Sequence, residues 1–159
     1  MKELILIACY WIHLIATVVW IGGITFILFI AIPSAKQVMG GEAGKLMGAI
    51  SKRFTPIANY SIILMIVTGV VLTAVNKQFL GIGNFGNSWS LGLIVKHVLV
   101  LVMVAVHFYR GLVLAPKIAR TEPASEKASL QKLSLNLVKV NFCLGLIVLL
   151  FSGIISILN

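Results

Sequence analysis

The sequence has no aspartate, and its acidic side chains number only four: Glu3, Glu42, Glu122 and Glu126. A Ser-His-Asp arrangement is therefore excluded, and the thiols lack the matched base that a Cys-His-Asn site requires. The two cysteines, Cys9 and Cys143, each sit within an apolar segment and form neither a C-x-x-C pair nor a zinc-type spacing. They read as small buried hydrophobes, with soft-metal ligation as the alternative. No glycine-rich loop that follows a strand is present to cradle a phosphate. Basic and aromatic residues are not interleaved on any exposed segment, which argues against nucleic acid as a partner. Charged residues make up 11% of the chain, against about a quarter in an average soluble domain.

What the chain has in quantity is apolar surface. Of its 159 residues 60% are hydrophobic, and the mean hydropathy is +1.08. A core of this size cannot hide so much apolar surface from water, so the surrounding solvent is partly lipid and the protein is an integral membrane protein. A helix needs about 20 apolar residues to cross the hydrocarbon, and the segments 4–33, 55–75, 91–114 and 134–157 meet that requirement. The first is too long for a signal-peptide core of about 7–15 residues and reads as a retained helix. Residues 76–90, NKQFLGIGNFGNSWS, are rich in Gly and Asn and read as an irregular loop. Thr121, Pro123 and Glu126 mark a helix start, because proline suits the first turn. The fourth helix is then expected to begin in the cytoplasm and run on into the membrane.

Net charge is +9, and its distribution sets the orientation. Lys36, Lys45, Lys52 and Arg53 lie in the first basic connection. Arg110, Lys117, Arg120, Lys127, Lys132 and Lys139 lie in or beside the second, whereas the opposite side has only Lys2, Lys77 and Lys96. This asymmetry places the connections 34–54 and 115–133 in the cytoplasm and both termini outside. The expected fold is an all-α, four-helix up-down bundle forming a single domain, multi-pass in the cell (inner or plasma) membrane, with cofactor sites between facing helices.

Within those spans stand all three histidines, His13, His97 and His107, with Lys96 and Arg110 close by. Ionisable groups in a span usually face the bundle interior and mark function. At 100° per residue, Cys9, His13, Thr17 and Trp20 share one stripe, and Lys96, Met103 and His107 share another. At about 1.5 Å rise per residue, His13 and His97 lie roughly 7 and 9 Å outward of the span centres, and His107 roughly 6 Å inward. Two imidazoles at one level can bind one haem b from opposite faces. His13 and His97 are therefore the favoured axial pair, with His107 an alternative partner or part of a second, inner haem. Lys96 would serve the outer propionates, Arg110 and Lys139 the inner ones, and Trp20 would cover a buried face. Copper is the second cofactor expectation, since His13 with Cys9, or His107 with Met103, offers imidazole and soft sulfur. A third reading leaves the histidines as interhelical hydrogen-bonding contacts only. No catalytic residue is assigned.

The stretches HLIATVVWIGGITFILFIAIPSA, SKRFTPIANYSIILMIVTGVVL and SWSLGLIVKHVLVLVMVAVHFYRG resemble helices of the CopD-type membrane domain and of HemJ-type protoporphyrinogen oxidases. Both carry a His, then a Trp seven residues on, then a glycine-rich turn. The resemblance implies a four-helix membrane fold. On the HemJ side it implies bound haem b, with His13 and Lys96 at the family positions. On the CopD side it implies copper resistance or uptake. HemJ-type proteins have an Arg shortly after the Trp-Gly motif, where this chain reads ITFILFIAIP. His97 beside Lys96 belongs to neither pattern. The expectation is thus a cytochrome b-like carrier of electrons between a quinol, quinone or membrane partner and another redox protein, alone, as a homo-oligomer or as a subunit of a larger complex. The alternatives are a HemJ-like oxidase and a CopD-like copper transport or tolerance protein.

Overall fold

In the computed structural model, residues 1–77, 79, 81 and 88–157 are described, and among them every regular element is helical. Most of the 76–90 segment, expected as an irregular loop, lies outside the described residues. Three helical stretches are long and apolar enough to cross a membrane: Lys2–Ala74, Ser88–Arg120 and Ala124–Ile157. Large apolar side chains cover their outsides, with Val18 68%, Leu101 65% and Leu112 72% exposed. A surface so apolar is stable against lipid tails and costly in water, at roughly 25 cal/mol per Å². The protein is embedded in the bilayer and crosses it more than once.

The chain divides into two compact units, Met1–Phe79 and Leu80–Asn159. In the first, α1 (Lys2–Phe26) passes through a π-helical segment, Ile27–Ala31, into α2 (Ile32–Met39). The wide turn has a local cause. Pro33 lacks an amide hydrogen and its ring crowds the carbonyl four residues back, and the helix relaxes to i→i+5 bonding, seen in Ile32 N–H donating to the Ile27 carbonyl. The helical direction then breaks at Gly40, whose φ of 51° is open to glycine at little cost. After one 3₁₀ turn, Gly40–Glu42, α3 runs from Ala43 to Ala74 and continues through Pro56. Position 13 of α1 meets 68 and 69 of α3, and position 23 meets 54, so the two helices are antiparallel arms. A Cβ at Gly23 would collide with the Phe54 ring, which makes this glycine a requirement of the close approach.

The second unit repeats this plan. The helix α4 (Ser88–Phe108) passes through a π segment, Tyr109–Leu114, into α5 (Ala115–Arg120), where Pro116 occupies the place that Pro33 holds in α2. Thr121 turns the chain, and α6 runs from Ala124 to Ile157, its first turn closed by Lys127 N–H on the Pro123 carbonyl at 2.9 Å. Contacts of Gly92 with Ile155, Met103 with Asn141 and Arg110 with Ser134 again describe antiparallel arms. Helix thus extends well beyond the apolar runs. Of residues 34–54 all but the 3₁₀ turn are α-helical, and α6 begins ten residues before position 134. The reason is composition: Ala, Lys, Leu, Met and Glu outside the apolar run are good helix formers in water.

Candidate functional site

In the first unit the site is centred on His13, partly buried between α1 and α3. Its Nδ1 lies 2.9 Å from Thr68 Oγ1 on the opposing arm. Thr68 is itself buried, and its hydroxyl donates to the Leu64 carbonyl one turn back at 2.6 Å. Gly69, the next residue, lies close to the imidazole: a Cβ there would be 3.2 Å from His13 Cε1. On α1, Thr17 Oγ1 donates to the His13 carbonyl at 2.8 Å. Cys9, one turn before His13, is partly exposed, and Trp20, two turns after it, is 1% exposed.

In the second unit the sequence-predicted residues separate by environment. His97 is exposed and uses Nδ1 on its own helix, 2.7 Å from the Leu93 carbonyl. Lys96 beside it is partly buried. About two and three turns beyond Lys96, Met103 is 1% and His107 7% exposed, on one face of α4. The His107 ring stands edge-on to Phe108, with centroids 5.4 Å apart at 84°. Arg110 Nε donates to Ser134 Oγ across the arms at 3.2 Å. Lys139 is exposed, and so is Cys143, which is not buried as its apolar segment suggested.

Asn141 of α6, 2% exposed, closes the buried group. Its Nδ2 donates to the Met103 carbonyl at 3.2 Å, and its Oδ1 is a buried acceptor with no hydrogen-bond partner among the described residues. The amide cannot be turned the other way, because a carbonyl only accepts and the nitrogen must face it. The Met103 carbonyl is one helical turn below the His107 amide, so Asn141 enters the site at the turn that joins the two side chains.

Sequence reasoning brought out His13, Trp20, Met103 and His107 by their shared faces. It missed Thr68, Ser134 and Asn141. The only signal available for these was a polar residue inside an apolar run, and that signal carries no information about which arm the residue meets. Among the described residues no three of His, Cys, Asp and Glu gather into a metal-holding group. What the arrangement offers a soft cation is sparser: imidazole and thioether together in the second unit, and imidazole with a nearby thiol in the first.

Helices clad in large exposed apolar residues, with His107, Met103 and Asn141 buried and His13 partly buried, define the class: a multi-pass helical membrane protein. The particular family follows from residues 48–155, more than half of the chain, which match the family model described as copper resistance protein D (CopD). The chain belongs to the CopD family. No curated protein and no solved structure matches it. The matched region takes in Thr68, Gly69, Lys96, His97, Met103, His107 and Asn141, while α1 with His13 precedes it.

Proposed function

We propose that the protein handles copper at the cell membrane, binding the ion as cargo between its helices instead of transforming an organic substrate. The observation that carries this reading is the buried Met103–His107 pair within the region matched to the copper resistance family. Cu(I) is a soft ion that takes thioether and imidazole ligands and tolerates low coordination in an apolar surround. His13 with Cys9 supplies a second, similar pair nearer the N-terminus of α1. The basic connections argue for four crossings with both termini outside and the turns at Gly40 and Thr121 in the cytoplasm.

The experiment is direct. Protein purified in detergent, loaded with Cu(I) and desalted, is expected to retain copper in stoichiometric amount, and the double variant M103L/H107A to lose most of it. Copper tolerance of cells expressing the two forms should follow the same order. A preparation that excludes copper and shows a Soret band, with a sharp α-band on reduction, would overturn copper in favour of haem b.

That haem reading, an electron carrier with His13 and His97 or His107 as iron ligands, has one observation on its side. Both His13 and His97 engage Nδ1, the arrangement in which an imidazole offers Nε2 to a metal. In it, Lys96 and Arg110 would hold propionates and Trp20 would cover the macrocycle, which itself would supply one-electron chemistry. It ranks behind copper because the family description names copper and not haem.

A further inference from the structure

We infer that Thr68 and Gly69 are positioning residues for His13, fixing the neutral imidazole as its Nδ1–H tautomer so that Nε2 is the nitrogen presented to a soft cation. The identity of the ion rests on the copper reading above; the tautomer does not. The assignment follows from counting protons along one chain of groups. The Thr68 hydroxyl has a single hydrogen, and the Leu64 carbonyl 2.6 Å away is an acceptor only. Two oxygens at that separation require the hydrogen between them. The Thr68 oxygen then has only lone pairs to offer His13, so at 2.9 Å the imidazole nitrogen is the donor. The order Nδ1–H → Thr68 Oγ1–H → Leu64 carbonyl runs in one direction, and each bond polarises the next.

Gly69 supplies the room. The ring atom nearest a Cβ built on Gly69 is Cε1, the carbon between the two nitrogens, at 3.2 Å. A Cβ here requires the ring to give by a few tenths of an ångström beside its bond to Thr68. Successive residues of one helix thus do complementary jobs: Thr68 selects the nitrogen, and Gly69 lets the ring close upon it. His97 reaches the same tautomer by a different route, since its Nδ1 faces the Leu93 carbonyl, also an acceptor only. In His97 the constraint is within one helix. In His13 it crosses between arms, so the lone pair of His13 is aimed only when the first unit is folded. A hydrogen bond of this kind to the far nitrogen is what orients metal-bound histidines, and its removal typically costs 10–100-fold in metal affinity.

The test reads the tautomer itself. Protein labelled with ¹⁵N-histidine in lipid nanodiscs, well above the ordinary imidazole pKa of about 6.5, gives ring ¹⁵N–¹H correlations for only three histidines. Variants H97Q and H107Q assign them. His13 is expected in the Nδ1–H pattern in the unaltered protein and in Thr68→Ser, which retains the hydroxyl. Thr68→Val should shift it toward Nε2–H and weaken Cu(I) retention at His13 by 10–100-fold, and Gly69→Ala should displace its resonances. An Nε2–H pattern in the unaltered protein, or a pattern that Thr68→Val leaves unchanged, overturns the inference. The expected tautomers in a protein that retains no copper uphold the positioning role and sink the copper reading alone.

Discussion

The two units of this chain share one plan and place different chemistry on it. Trp20, Ile24, Ala31 and Pro33 of the first fall in the same order and spacing as Met103, His107, Leu114 and Pro116 of the second. The first three of each set are buried, and each proline stands just past a π segment. By the same spacing His13 corresponds to Lys96, and His107 to an isoleucine. The repeat therefore fixes where a buried stripe lies and leaves open which of its positions is polar. In the first unit the imidazole is held by a side chain of the opposite arm; in the second, an amide of the opposite arm grips the backbone beneath Met103 and His107. A side-chain partner selects a nitrogen, whereas a backbone partner sets only the spacing of the arms.

The sharpest way to break the second unit alone is to place a charge where its amide sits. Asn141→Asp puts a carboxylate inside the apolar run of α6, and Asp costs up to about 2.5–3.5 kcal/mol at the centre of a span. Expression in the membrane fraction should fall several-fold, and thermal unfolding in detergent should start lower. The corresponding blow to the first unit is Gly23→Leu, which drives a side chain into the Phe54 ring. Overpacking of that kind costs about 1–3 kcal/mol, and protease cleavage of the connection at residues 40–42 would report the loosening of α1 from α3. Smaller is Thr68→Val, the loss of one interhelical hydrogen bond, worth about 0.6 kcal/mol on average within membranes. Its stability effect should be slight while its effect on His13 is large, and a fall in melting temperature as great as that of Gly23→Leu would contradict the comparison. Smallest is Asn141→Leu, which removes a hydrogen bond and a buried unpaired oxygen together. These oppose each other, so unfolding should be nearly unchanged although the Met103 carbonyl loses its partner.

Much of this architecture was legible before any coordinates, because apolar runs and the scarcity of charge leave a bilayer-embedded helical protein as the economical solution. The faces were legible too. Rotation by 100° per residue put His13 with Trp20 and Met103 with His107, and burial of Trp20, Met103 and His107 agrees. The start of α6 after Pro123 followed from helix-start chemistry. What stayed hidden was pairing across the arms. Thr68 can meet His13 only because Gly40 reverses the chain where it does and because α3 begins at Ala43. Charges at Lys36, Lys45, Lys52 and Arg53 made that region read as loop, since solvation and helix formation leave similar marks on a polar segment. The favoured ion was obscured for a different reason: imidazole serves haem iron and copper alike, and the preference for copper came from family membership.

The reversal at Gly40 has a consequence for biogenesis. Every cross-arm contact named in the first unit joins residues preceding Phe79, and every one in the second joins residues following it. Each pair of arms is therefore complete in information as soon as its own stretch of chain has been synthesised. These contacts close long loops, 55 residues between His13 and Thr68, but loop-closure entropy grows only slowly with length. Nothing in α4 is needed for the His13 clamp, so a chain ending after α3 already carries every residue of it.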